Sequence, residues 1–304
     1  MDHDNAYDGL VETQDDARWA FGTGFDDPLA GVDTTVPTGV DGAALAAYCL
    51  MLGDDALVSA QRLAQWSTRA PELEEEVALA NIGLDLLGQA RLLLARAAAA
   101  DPSVVPPLPE GSPVPSEDAL AFFRDAPAFR PVHLTQVPNG DFAVTVVRLT
   151  VLSTWRLEVL RALTASRDPV LAAVAEKGVK ELSYHRDYAA RWCVTLAQGT
   201  AVSRSRLVGA LGVVWPYLAE LSRVHPVERS LVEVGVAADP SAAWLVASAF
   251  LDQVLAAGDL EPPGTRSVGT MGGRAGRDGA HTEWLGPLLD EMQVVARAHP
   301  MGRW

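Results

Sequence analysis

The sequence predicts an all-α fold: a four-helix bundle with a long crossover and additional C-terminal helices. Three observations carry this reading. Long Ala- and Leu-rich stretches repeat apolar residues at helical spacing, β-branched runs are short, and proline-rich stretches fall where helices should stop. The chain has 304 residues, 49% of them hydrophobic, enough for one large core.

The elements follow in order. Residues 1–40 hold nine acidic residues (Asp2, Asp4, Asp8, Glu12, Asp15, Asp16, Asp26, Asp27 and Asp33) against Arg18 alone, with no lasting helical period. They read as an acidic, disordered extension preceding a helical domain over 41–304, with Trp19, Phe21 and Phe25 as its apolar exceptions. A first helix is expected from Asp41, its N-cap, to Trp66. A second starts at Pro71, with Glu72, Glu74, Glu75 and Glu76 at the positive end of its dipole, and runs to about Ala100. A crossover of about forty residues follows, broken by one short helix over Ser116–Arg124. Third and fourth long helices are expected over Asp141–Ser166 and from the Asp168–Pro169 start to Gln198, where Gly199 stops the run. Helices near Ser203–Arg223, Asp239–Ala256 and Gly286–Ala298 complete the chain. The Gly- and Arg-rich stretch Gly264–Gly279 reads as a mobile or partner-ordered loop. Two helix hairpins joined by a long crossover is the layout of ferritin-like bundles.

The formal net charge of -15 argues against nucleic acid and anionic membranes as partners. No uninterrupted apolar run approaches the roughly 20 residues of a membrane span. The acidic amino terminus lacks the basic region of an export signal, so a cytoplasmic location is expected. Cys49 and Cys193, both in apolar helical surroundings, read as reduced, buried thiols.

Ferritin-like oxygenases hold two irons with a Glu-x-x-His pair on each of two helices and a single Glu on each of two others. Four candidate ligands stand where such a site would lie: Asp54, Asp85, Glu181 and His185. Three expected positions carry no ligand: Gly88, Ser153 and Leu182. Leucine has no lone pair to give, and glycine has no side chain at all. Glu158, the nearest acid on the third helix, lies a turn beyond the middle. A bland reading stands beside this one. Glu181 and His185 also form an ordinary i,i+4 pair, with Lys177 and Lys180 close enough to neutralise carboxylates. Asn81, Asp85 and Gln89, four residues apart, read as a buried hydrogen-bond network that fixes helix register. Asp85 is therefore expected to be buried and paired, and iron is not expected to bind.

Several separated segments, in order, resemble a known family, the structural C subunits of the multicomponent ring epoxidase that acts on phenylacetyl-CoA. They are Gly53–Asp55, Gln61–Leu63, Ala70–Arg91, Gln136–Ala143, Ser166–Pro169, Lys180–Trp192 and Gly279–Gln293. The resemblance covers Leu45 to Trp304 and leaves out the acidic extension. It implies a non-catalytic subunit of aerobic phenylacetate degradation, holding no cofactor of its own. Its partner would be a paralogous catalytic subunit that carries the di-iron centre and epoxidises the aromatic ring with dioxygen. Electrons would come from NADPH through a reductase subunit with FAD and iron–sulfur groups. The alternative is an active di-iron oxygenase with an atypical ligand set. Such a scaffold should self-associate weakly and form a tight heteromer. Trp66, Trp244 and Trp284 stand outside obvious core stripes, and the segment His281–Gln293, with Trp284 and Leu288 on one side, is a candidate docking surface.

Overall fold

A computed structural model describes residues 31–270 and 272–302. The described residues contain ten α-helices and no strand. The disorder expected of the extension, and its aromatic residues Trp19, Phe21 and Phe25, lie outside the described residues over 1–30. Residues 31–40 do pack: Val32, Val36 and Val40 lie against the core. The carbonyls of Thr34 and Thr35 accept from Arg96, and that of Thr38 from Arg167.

Four long helices form the bundle: α1 (Gly42–Ala64), α2 (Leu73–Ala100), α5 (Phe142–Leu163) and α6 (Pro169–Gln198). The helix starts anticipated at Asp41 and Asp168 are capped as expected, and Asp141, expected as the first residue of its helix, is its N-cap; each side chain accepts from a backbone N–H of the first turn. Pro71 lies outside α2, which begins at Leu73 with Glu72 as its N-cap. α1 pairs with α2 and α5 with α6, while α2 also meets α6. The crossover carries α3 (Ser116–Phe122) and a one-turn helix, α4 (His133–Gln136). α7 (Ala201–Val214) and α9 (Pro240–Ala257) cover α5, and between them lie a 3-10 stretch over Trp215–Ser222 and α8 (Pro226–Glu233), which packs on α1. α8 is absent from the sequence reading; its eight residues are too few to show a period, and only the Pro226 start marks it.

Two expectations are corrected here. α10 (Leu285–Ala298) turns Leu285, Leu288 and Leu289 into the core and packs against α3, so the face offered as a docking surface is internal packing. Trp66 is likewise core; its indole N–H donates to Thr145 Oγ1 at 2.9 Å. The second correction concerns Gly264–Gly279. Residues 264–270 are exposed, as a loose loop should be, but Ala275, Gly276 and Arg277 are buried. A Cβ on Gly276 would lie 2.0 Å from the Pro131 carbonyl oxygen, so only glycine lets this segment seat so closely.

Both cysteines are free and buried, and burial raises both thiols, Cys193 to about 11. Three helices, α1, α2 and α9, reach the length and mean hydropathy of a membrane span, although none is an uninterrupted apolar run. In α1 that window is 83% buried inside the bundle, which accounts for its apolar character without a bilayer.

Candidate functional site

The four candidate ligands do not form one site. They divide into a lock on α1 and a ladder between α2 and α6.

The lock begins with Asp54 and Asp55, both fully buried in the middle of α1. Asp54 takes a bidentate contact from Arg124, at 2.5 and 3.1 Å, and accepts the Arg130 backbone N–H at 2.8 Å. Its oxygens are therefore committed to the crossover. Asp55 accepts from Arg277 at 2.6 Å and from the Val132 N–H at 2.9 Å. Burial pushes the Asp55 carboxyl up against the pull of Arg277. Arg277 also donates to the carbonyls of Met51 and Arg130, so it stitches α1, the crossover and the C-terminal segment together. Around it, Glu220 accepts the N–H groups of Gly276 and His133, and Gln136 accepts from the Thr282 N–H and hydroxyl.

The ladder has two rungs. Asp85 Oδ2 lies 2.9 Å from His185 Nε2, and Gln89 Nε2 donates to Glu181 Oε2 at 2.8 Å. Each step is four residues on both helices and runs in opposite directions, as antiparallel neighbours require. Lys177 stands 3.5 Å from Glu181, so the anticipated neutralising lysine is in place. His185 is fully buried, while the Asp85 side chain is 39% exposed. The expectation that Asp85 is buried is thus corrected: it is paired, but at the rim. Asn81 is exposed and takes no place in the interior.

Between lock and ladder lies a residue that the sequence reading did not single out. Arg156 of α5 is fully buried; it donates Nε to Gln89 Oε1 at 3.1 Å and Nη1 to the Leu52 carbonyl at 3.0 Å. Burial lowers its pKa to about 10, with Asp55 and Glu181 among the charges acting on it. A guanidinium thus occupies the interior between all four long helices. The signal was available: Arg156 stands among Leu152, Trp155, Leu157 and Leu160 in the middle of a bundle helix, and a buried guanidinium needs an acceptor set.

The donor set does not fit a di-iron centre. Leu182 is buried where a carboxylate would be needed, Ser153 is buried on α5, and Gly88 has only open space ahead of its Cβ direction. Asp54 points its oxygens at Arg124, away from the ladder. Among the described residues no three His, Cys, Asp or Glu side chains converge as metal ligands. Glu158 pairs with Arg161 one turn along its own helix, at 2.6 Å.

Comparison with known proteins adds the family. The model of a family described as phenylacetic acid catabolic protein matches residues 32–304. The chain belongs to that family. A curated relative, the C subunit of the 1,2-phenylacetyl-CoA epoxidase of Escherichia coli (strain K12), is 40% identical over 263 residues, covering 86% of this chain and 99% of the relative. The family match begins at residue 32, and among the described residues it takes in Val32, which packs against the core, the α1 lock, the ladder and the C-terminal segment that carries Arg277. Within this family, then, the chain has a ferritin-like body whose centre is filled by a hydrogen-bonded arginine.

Proposed function

We propose that the chain is the non-catalytic structural subunit of a phenylacetyl-CoA ring epoxidase, working in the cytoplasm in aerobic phenylacetate degradation. The Escherichia coli relative, alike over nearly its whole length and itself one subunit of such an epoxidase, points to the complex. The observation that carries the non-catalytic role is Arg156 bonded to Gln89 at the bundle centre. A fixed positive charge there opposes a cation, and the neighbouring carboxylates are already paired. In this reading the partners are a di-iron catalytic subunit and a reductase supplying NADPH electrons through FAD and iron–sulfur groups. This chain itself holds no cofactor. An active oxygenase with atypical ligands is disfavoured by the same arginine.

The test is co-purification of the catalytic subunit with this chain, followed by phenylacetyl-CoA turnover with and without it. The reading expects one stable heteromer, activity that depends on the heteromer, and iron in the catalytic subunit alone. Two irons per chain after anaerobic reconstitution of this protein, or full turnover by the catalytic subunit alone, would sink it.

A further inference from the structure

The centre of the bundle is tightly filled; a Cβ added at Gly178 would lie 2.4 Å from Leu160 Cδ1. The layer outside it is packed differently. Where α7 and α9 lie over α5 they leave a cavity with about 20 Å³ of room for the centre of a water-sized body. Val151 of α5, Leu207 and Leu211 of α7 and Val254 of α9 form much of its wall, which is almost wholly carbon. Besides the Trp215 indole, only Thr150 and Cys193 bring a polar group to it. The Thr150 hydroxyl donates to the Val146 carbonyl at 2.8 Å, so its oxygen accepts from the Cys193 thiol at 3.2 Å. Burial pushes that thiol up to about 11, so it carries no charge near neutral pH. Every lining residue except Trp215 and Leu260 is buried, so these two flank the entrance. The turn after α9 holds Leu260 there. Asp259 is left-handed at φ 49°, the Leu260 N–H donates to the Leu255 carbonyl at 2.9 Å, and Arg204 donates to the Gly258 carbonyl at 2.9 Å.

We propose that this cavity binds one small apolar molecule of the size of dioxygen. Water is excluded by chemistry. A buried water needs about three polar partners, and here the hydroxyl and thiol protons are already committed within the wall. Larger guests are excluded by size. By the same measure a single water needs about 10–15 Å³, so this cavity takes a body of one or two atoms, whereas benzene occupies cavities of about 150 Å³. A carbon wall attracts an uncharged guest by dispersion and asks no hydrogen bond of it. Dioxygen has no dipole and no hydrogen bond to lose on leaving water. A gap left by imperfect packing would have the same shape, but an apolar gap that stays dry is the kind of space that takes up an apolar guest. The inference rests on the cavity alone and does not depend on the function proposed above.

The test is NMR of the methyl-labelled full chain under dioxygen pressure, because dissolved dioxygen is paramagnetic and speeds the relaxation of the protons it touches. The Val151 and Leu207 methyls should relax at least about three-fold faster than the equally buried methyls of Leu79 and Leu86, since a gas that enters a dry cavity is concentrated there. Argon, an apolar gas of similar size, should compete and reduce the excess; benzene should leave it unchanged. Val151→Ile and Val254→Ile each add a methylene to the wall. At least one should abolish the excess without lowering the melting temperature, because it fills empty space. The control Val146→Ile, at a fully buried position outside the cavity, should lower the melting temperature by overpacking. Equal enhancement at all buried methyls overturns the inference. So does magnetisation transfer from water to the Val151 or Leu207 methyls, uptake of benzene at the same methyls, or an excess that survives both isoleucine variants.

Discussion

The pairs Asp55–Arg277 and Asp85–His185 look alike as ionisable couples, yet they do different work. Asp55–Arg277 joins residues 222 apart in sequence, and both are sealed from water. Asp85–His185 joins two adjacent helices, and one of its partners stands at the rim. The first lies among groups that cannot be solvated if the pair opens, namely the Arg130 and Met51 carbonyls and the Val132 N–H. The second opens into water. Depth, not formal charge, sets what each pair contributes.

The largest effect should therefore come from breaking the lock. Arg277→Met leaves the Asp55 carboxylate buried beside apolar atoms and should destabilise by about 3–5 kcal/mol, measured by urea unfolding. The double variant Asp55→Leu with Arg277→Met should recover much of that loss, since it removes both desolvated charges. A double variant no better than the single one would show that Arg277 acts through its carbonyl contacts and not through Asp55.

Next in size is the seating of the C-terminal segment. Gly276→Ala sets a methyl against the Pro131 carbonyl oxygen and must displace the segment. A loss of about 1–3 kcal/mol is expected, with faster hydrogen exchange over 275–282 than in α6. Equal exchange in the two regions would mean that the segment is no separate unit.

The segment that closes the lock also carries an acid-sensitive group. His281 sits in the segment with Nε2 3.1 Å from the Phe129 carbonyl and Nδ1 3.1 Å from Gln136 Nε2. Gln136 Oε1 is already accepting from Thr282, so its amide donates to Nδ1 and the ring must be neutral. Burial, with His133 and Arg130 nearby, lowers the His281 pKa from its ordinary 6.5 to about 4. A depressed histidine pKa means that the unfolded chain binds the proton first. The contribution is thus complete above pH 6.5 and is lost as pH falls toward about 4. His281→Gln should flatten the stability–pH curve over that window. An unchanged slope would place the acid sensitivity elsewhere.

The bundle was legible because its caps and breaks are local. Asp41, Asp141 and Asp168 announce helix starts whatever surrounds them. The division of the candidate residues was not legible, because it depends on partners far away in sequence. Nothing near Asp54 points to Arg124, and nothing near Asp55 points to an arginine in a Gly-rich loop. Glycine-rich composition suggested mobility for residues 264–279, yet at Gly276 the glycine serves a tight approach. Asp85 was misplaced for a subtler reason. The inner stripe of α2, with Leu79, Ile82 and Leu86, and its exposed outer face, with Leu73, Val77 and Leu84, are both apolar, so the helix pattern does not say where the interior ends.

That misplacement sets the smallest prediction. A buried, paired Asp85 would cost about 1–3 kcal/mol to remove, because its partner would be left unsatisfied. At 39% side-chain exposure the carboxylate is screened, and water can reach the rim when it is gone. Asp85→Ala should then cost about 1 kcal/mol or less. The companion change Gln89→Leu removes the amide that bridges Glu181 and Arg156 in the interior, and it should cost more, about 1–3 kcal/mol. The order of the two values, measured in one denaturant series, is the informative quantity. If Asp85→Ala proves the costlier, His185 depends on that carboxylate more than solvent access allows. The ladder would then resemble the lock, and the distinction between them would fail.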